Sequence, residues 1–405
     1  MNIAFIDGPV FIGNGRVLDN ATVVVEGEHI VKVAAGDVAI PQGARKIPLA
    51  GRMLLPGFID CHVHFCYDAS AYPSNVLMNE ALPMTTLKAA RHARQTLMAG
   101  VTTVRDMGGK DGIDCVIRDA IRAGLIPGPR MLASGRVICI TGGQSWRLGR
   151  EADGPVEVMK AAREQIKAGA DWVKFMATGG VLTPGVEPGN VQFNEDELQA
   201  GIREAHKAGK KTATHAQGRQ GILNALKAGI DSIEHGIFLN EEIIALMVKA
   251  DVPLVATLSA PHHILHKGVE AGIPAFAVDK TRRVKPFHAA SIRMAREAGV
   301  RIAMGTDAGT PFNRHGENLG ELERLVEVGF SPAEALQAGT SIAAGVLGLE
   351  KEIGTIEEGM LADLIVVAGN PIENMEALLA GEAVQLVMQG GSLVKGQNSD
   401  LQGKP

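Results

Sequence analysis

Two histidines one residue apart, His62 and His64, stand in the run Pro56-Gly57-Phe58-Ile59-Asp60-Cys61-His62-Val63-His64. In an extended chain, residues two apart share a face, so both imidazoles point one way and Val63 the other. Two imidazoles on one face can chelate a metal ion. A His-x-His pair is a weak signal alone, but four residues downstream extend it. Lys174 lies inside Asp171-Trp172-Val173-Lys174-Phe175-Met176, and His215 closes Thr212-Ala213-Thr214. His235 follows Ser232-Ile233-Glu234, and Asp307 follows Ala303-Met304-Gly305-Thr306. Taken singly, each is more often a satisfied polar group at a strand terminus. The lysine has three readings: an amine snorkelling to solvent, a buried amine of lowered pKa, or a neutral amine that adds CO2. The resulting carbamate is a carboxylate able to bridge two metals. Six metal-compatible groups at the ends of more than four strands are hard to produce by accident.

The elements that must position them alternate. Eight apolar runs centre on Leu54-Leu55, Val101-Val104, Met131-Ala133, Trp172-Met176, Thr212-Thr214, Asp231-Ile233, Leu254-Thr257 and Ile302-Met304. Segments of helical period separate them, such as Thr86 to Ala99 and Glu195 to Ala208. Eight β/α units predict a (β/α)8 TIM barrel, an α/β fold whose site lies at the carboxyl ends of its strands. A doubly wound open sheet would need a glycine-rich fingerprint after the first strand, and none is present. Ala99-Gly100, Ala168-Gly169, Ala208-Gly209, Ala228-Gly229 and Ala298-Gly299 each predict a helix closed by a left-handed glycine.

Both ends of the chain read differently. Met1-Asn2-Ile3-Ala4-Phe5-Ile6-Asp7 predicts a first strand rather than a signal peptide, and Thr22-Glu26, Gly27 and His29-Val33 predict a hairpin. Strands are expected again at Asp363-Val367, Val384-Met388 and, after Gly390-Gly391, Ser392-Val394. These predict a small β-sandwich composed of residues 1–56 and 346–405, around a barrel spanning 57–345. The segment from Gly396 is polar and expected to fray.

Composition narrows the function. The net charge is -5 with no Lys/Arg block, and aromatics are 4%. Neither an electrostatic nor a stacking surface for nucleic acid is indicated. The cluster Lys280, Arg282, Arg283 and Lys285 reads as a solvated helix face. No apolar stretch reaches membrane-spanning length. Cys61, Cys66, Cys115 and Cys139 show neither a disulfide framework nor zinc-ligand spacing, so a reducing, cytoplasmic setting is expected.

The whole pattern resembles the binuclear subgroup of the amidohydrolase superfamily, among its imidazolonepropionase-like members, which include Xaa-Pro dipeptidases and related carboxypeptidases. The resemblance covers nearly the full chain. It is carried by Gly57 to His64, Ser134-Gly135-Arg136 with Thr141-Gly142-Gly143, Ala177-Thr178-Gly179-Gly180, Ile233-Glu234-His235-Gly236 and Gly305-Thr306-Asp307-Ala308-Gly309-Thr310, and by the late Gly359-Met360-Leu361-Ala362-Asp363-Leu364. It implies two divalent ions, with zinc expected. His62, His64 and Asp307 would hold the more buried ion and His215 and His235 the more exposed one. Carboxylated Lys174 and a hydroxide would bridge them. Many relatives carry histidine where Gln144 follows Gly143, and tyrosine or histidine where Gln217 stands. Both departures fall near the substrate rather than the metals.

The implied chemistry is hydrolysis of a peptide-like amide, as in a dipeptide or N-acyl amino acid, with Asp307 as general acid and base. Cyclic amides, lactones and xenobiotic amides suit the same centre. A mononuclear deaminase usually lacks the strand-four lysine, and a non-catalytic assembly protein would lose ligands that this chain keeps. Arg136, Gln144, Thr178, Gln217, Ser259, His263, Asn313, Arg314 and His315 are the candidate substrate contacts. The loop after the eighth strand, with Arg314 and His315, could meet a substrate carboxylate. His29, His92 and His206 read as structural. The partner is expected to be a small molecule, and the chain a homo-oligomer.

Overall fold

The computed structural model describes residues 2–36, 38–379 and 381–396. The expected fraying of 397–405 lies outside them. The strands, in chain order, are β1 (Asn2–Phe11), β2 (Val17–Glu26), β3 (His29–Ala35), β4 (Arg45–Pro48), β5 (Arg52–Pro56), β6 (Phe58–Val63), β7 (Val101–Asp106), β8 (Arg130–Ala133), β9 (Ile138–Cys139), β10 (Arg150–Glu151), β11 (Trp172–Met176), β12 (Lys211–Ala216), β13 (Ser232–His235), β14 (Leu254–Val255), β15 (Ile302–Ala303), β16 (Leu364–Ala368), β17 (Val384–Gln389) and β18 (Ser392–Lys395). The chain divides into two compact units. One is Met1–Asp60, Arg94–Thr103 and Gly316–Pro405; the other is Cys61–Ala93 and Val104–His315.

The first unit holds an eight-stranded sheet ordered β18-β17-β16-β5-β1-β2-β3, with β4 on β1. Both chain ends enter it, because β16 runs antiparallel to β5, pairing Ile365 with Leu55, and β5 lies beside β1. The predicted hairpins form: Glu26 faces His29, and Gln389 faces Ser392. Ile3, Phe5, Val23 and Val25 share one buried core with Leu54, Leu364, Val366, Leu386 and Met388, so the sheet is folded over as a sandwich. Leu54-Leu55 therefore belongs to this sheet and not to the first barrel strand, which begins at Phe58. An apolar run does not say which sheet it joins.

The second unit carries the barrel strands. β9, β11, β12, β13, β14 and β15 pair in parallel in that order. The Asp171 amide donates to Ala133 O at 2.8 Å, tying β11 to the end of β8. The Cys61 amide donates to Met304 O at 3.0 Å and the Asp307 amide to His62 O at 2.7 Å, which closes the ring between β15 and β6. Strands such as Trp172–Met176 are buried throughout, as expected where helices cover one face and the barrel interior the other. The five Ala-Gly glycines all have positive φ, between 67° and 95°. Helix α1 (Glu195–Lys207) opens with a capping box from Asn194 and Glu197. Helices α2 (Ser259–Lys267) and α3 (Ala275–Glu297) follow β14 and wall the mouth of the barrel.

Candidate metal centre

All six predicted ligands line one open cavity at the carboxyl ends of the barrel strands. His62 and His64 leave the end of β6, with ring centroids 5.3 Å apart. His235 lies 5.1 Å from His62 and 4.6 Å from His215, between the two predicted ligand sets. Asp307 Oδ1 is 3.6 Å from His62 Nε2 and 3.5 Å from His64 Nε2. Ligand atoms of His62, His235 and Asp307 all fall within 4.8 Å of one another.

Hydrogen bonding assigns the proton on each ring. A carbonyl or carboxylate oxygen only accepts, so the nitrogen facing it carries hydrogen and the other keeps its lone pair. His62 Nδ1 donates to Glu234 Oε2 at 2.7 Å, and His64 Nδ1 to Gly108 O at 2.9 Å. His215 is reversed: its Nε2 donates to Gly179 O at 3.0 Å, leaving Nδ1 with the lone pair. For His235 the partner is Thr257 Oγ1 at 2.7 Å. That hydroxyl gives its own hydrogen to Ala256 O at 2.7 Å, so it must accept from Nδ1. Burial holds all four imidazoles neutral, with His64 at about 4, His215 at about 3, and His62 and His235 well below the usual value. The cavity thus gathers lone pairs and a carboxylate.

Lys174 is 1% exposed at the barrel floor. Its Nζ sits 3.6 Å from the thioether of Met107, a weak acceptor. Burial pulls its pKa down to about 8, against the opposing pull of Glu234. About a tenth of such amines are neutral at pH 7, far more than for an exposed lysine. Neutral imidazoles, a carboxylate and an amine that can lose its proton form a donor set that fits divalent metal, with carbamate formation open to Lys174.

Three strand ends achieve this with strained backbone. His235, Thr257 and Asp307 have φ of 74°, 57° and 57°, in the left-handed region that side-chain-bearing residues avoid. The twist at His235 breaks the alternation of β13, so the adjacent Glu234 and His235 both serve the centre. Gly305 is also forced: a Cβ there would lie 2.9 Å from that of His62 and 2.3 Å from Val255.

Behind the candidate ligands runs a buried relay that the strand-end pattern does not include. Arg105, fully buried, donates to Glu234 Oε1 at 2.8 Å and to Cys61 O at 2.8 Å, and stacks 4.4 Å from the Trp172 ring. Ser232 also donates to Glu234 Oε1, at 2.7 Å. Breaking one partner of such a buried ion pair costs about 3–5 kcal/mol. The signal was available: Ser232 and Glu234 share a strand face.

The predicted substrate contacts separate. Gln144 and Gln217 line the cavity, and Ser259, Thr178, Arg136, His263, Asn313, Arg314 and His315 are not among its lining residues. Thr178 is buried and its hydroxyl accepts from the Gln217 amide at 2.9 Å. Arg136 donates to Gly149 O. His315 is buried, donates to Tyr67 O at 3.0 Å and stacks on His92 at 4.4 Å. Asn313 braces Thr306 O, and Arg314 is exposed. The cavity spans about 940 Å³, counting solvent at its mouth, which suits a small molecule. Lys280 was expected on a solvated face but is buried: its ammonium donates to Thr183 O at 2.8 Å and Val186 O at 2.6 Å. It thereby pins to α3 the loop whose Val181, Leu182 and Thr183 line the cavity. Helix periodicity could not show that two loop carbonyls would meet it.

With fold and centre in place, comparison with known proteins is specific. Residues 53–394 match the amidohydrolase family. An ochratoxinase from Aspergillus niger is 31% identical, over 96% of this chain and 86% of its own length. A crystal structure of a Xaa-Pro dipeptidase with methionine bound in its active site superposes with a TM-score of 0.90 at 34% identity, covering 98% of this chain and all of the other. A prolidase complexed with N-methylphosphonate-L-proline gives a TM-score of 0.90 at 31% identity, with the same coverage. The chain belongs to the amidohydrolase family, and its site is that of a metal-dependent hydrolase of amide bonds.

Proposed function

We propose that the protein hydrolyses a peptide-like amide in a small substrate, a dipeptide or N-acyl amino acid, at a centre of two zinc ions. The observation carrying this reading is the convergence of four neutral imidazoles, Asp307 and buried Lys174 on one cavity. His62, His64 and Asp307 would hold one ion, His215 and His235 the other, with carboxylated Lys174 between them. When bound, such ions acidify a shared water and polarise a scissile carbonyl.

The chain's own residues supply the rest. Asp307, at the strand end, takes the proton of the attacking water and returns it to the departing amine, a poor leaving group without it. Glu234, Gly108, Gly179 and Thr257 hold the four rings in the required tautomers. The relatives named above, a dipeptidase and a prolidase, support the choice of substrate. Among the described residues no helix is long and apolar enough to cross a membrane. A homo-oligomer in the cytoplasm, with the barrel at 57–345 and the sandwich from 1–56 and 346–405, completes the proposal.

A panel of dipeptides and N-acyl amino acids, incubated with the zinc-loaded protein, tests it. Free amino acid is expected from a subset. Silence across the panel would reject this substrate class in favour of cyclic amides, lactones or xenobiotic amides. Lys174→Ala is expected to lose metal from at least one site by elemental analysis, with most of the activity. Two retained metals and full activity would sink the carbamate bridge.

A further inference from the structure

The cavity wall carries a cation that neither the sequence reading nor the metal centre uses. Among the described lining residues the only lysine or arginine side chains are Lys174 and Arg147, and Lys174 is assigned to the centre in the proposal above. The Arg147 guanidinium lies 5.0 Å from the Trp146 ring and 5.9 Å from the Tyr72 ring. Its Nη1 donates to the Tyr72 hydroxyl at 3.4 Å. Several other arginines of this unit pair with carboxylates: Arg105 with Glu234, Arg118 with Asp171, Arg150 with Glu164, Arg283 with Glu187. No protein carboxylate pairs with Arg147 among the described residues, and Asp307 is the only carboxylate in the lining. Two aromatic faces hold the fork in place, with Nη1 on the Tyr72 hydroxyl.

The wall nearer the metals has the opposite character. Gln144 and Gln217 are 5% and 4% exposed, and both Oε1 atoms lack a hydrogen-bond partner. Their backbones are fixed, since the Gln144 amide donates to Gln192 Oε1 at 3.0 Å and the Gln217 amide to Thr178 Oγ1. Gln144 packs over Gly180 beside His215: a Cβ on Gly180 would lie 2.7 Å from Gln144 Cδ and 2.9 Å from His215 Cε1. An acceptor oxygen gains nothing from a carboxylate, which only accepts, but it pairs with an amide N–H. Tyr67 spans the interval. Its ring is 5.5 Å from His64, and its hydroxyl lies in the fields of both Asp307 and Arg147.

We propose that Arg147 is a specificity-determining anchor for a substrate carboxylate. The bound substrate then lies with its anionic end against Arg147, between Trp146 and Tyr72, and its amide N–H groups toward Gln144 and Gln217. The substrate class is an amide bearing a free carboxylate, such as an N-acyl amino acid. This rests on the hydrolase reading above, and its test does not depend on turnover.

The probes are N-acetyl-L-phenylalanine and N-acetyl-L-phenylalaninamide, which differ in charge at one end. Their binding to the metal-loaded protein is measured by calorimetry and by the fluorescence of Trp146. The wild type is expected to prefer the acid by roughly tenfold or more, as a charge-assisted fork requires. Arg147→Met, which keeps the stem and removes the charge, should bring the two ligands to near equality, and Arg147→Lys should restore part of the preference. A circular dichroism melt confirms that each variant is folded. Equal binding of both probes by the wild type, no binding of either, or an undiminished preference in Arg147→Met overturns the anchor. A wild type that binds the acid preferentially yet releases no amino acid from any panel member would instead reject the substrate class proposed above and leave the anchor standing.

Discussion

The floor and the wall of this cavity are built on contrary plans. On the floor every imidazole has one nitrogen tied to a fixed acceptor, and the acceptor behind His62 is itself tied to Arg105. On the wall, Gln144 and Gln217 have fixed backbones and side-chain oxygens without partners. Leaving such a buried group unpaired costs about 1–3 kcal/mol each. The contrast teaches that the reaction is built into the protein before substrate arrives, whereas selectivity is completed by the substrate's own donors.

Four substitutions can break or sharpen this contrast. Asp307→Asn on the floor keeps the shape and removes the proton carrier, so kcat/KM should fall by about three powers of ten or more. Kinetics within tenfold of the wild type would remove Asp307 from that role. Glu234→Gln loosens His62 without touching a ligand, and metal affinity should drop by about 10–100-fold in a chelator competition. An unchanged affinity would mean that the relay is only scaffolding. Gln217→Leu on the wall should leave metal content intact and alter the ratio of kcat/KM values between substrates by about tenfold. A loss of metal there would show that floor and wall are not separate.

The smallest effect concerns stability. Asp106 accepts from the Gly108 amide at 3.0 Å, and Gly108 O orients His64. Burial raises the neighbouring carboxyls of Asp106 and Asp114 together above their usual value. A carboxyl raised in the folded chain favours folding fully below its unfolded value and loses that advantage as pH climbs through the folded one. Stability should therefore decline as pH climbs above about 4, and Asp114→Asn should lessen that decline in urea melts taken at pH 5 and pH 8. A slope equal to the wild type's would locate the pH dependence elsewhere.

The clustering of the six candidate ligands was legible because each chemical group sits at the end of a run that only a strand explains, and two-residue alternation placed His62 and His64 together. The supporting residues were not. Glu234 read as part of a motif around His235, since alternation alone does not allow neighbours to face one centre; the left-handed backbone at His235 does. Arg147 lies in a loop without periodicity, so nothing local marked it, whereas Arg314 and His315 stood out by following the catalytic strand. The fold's outline followed from the alternation of runs, but Leu54-Leu55 shows that pairing partners are a tertiary property.

Thr257 puts a price on the centre that selection would notice. Its left-handed backbone suits glycine or asparagine better than a β-branched residue, yet its hydroxyl fixes the tautomer of His235. Laboratory evolution for heat tolerance alone would tend to trade that threonine away and gain robustness at the expense of metal binding. Only a screen that also scores turnover would keep it.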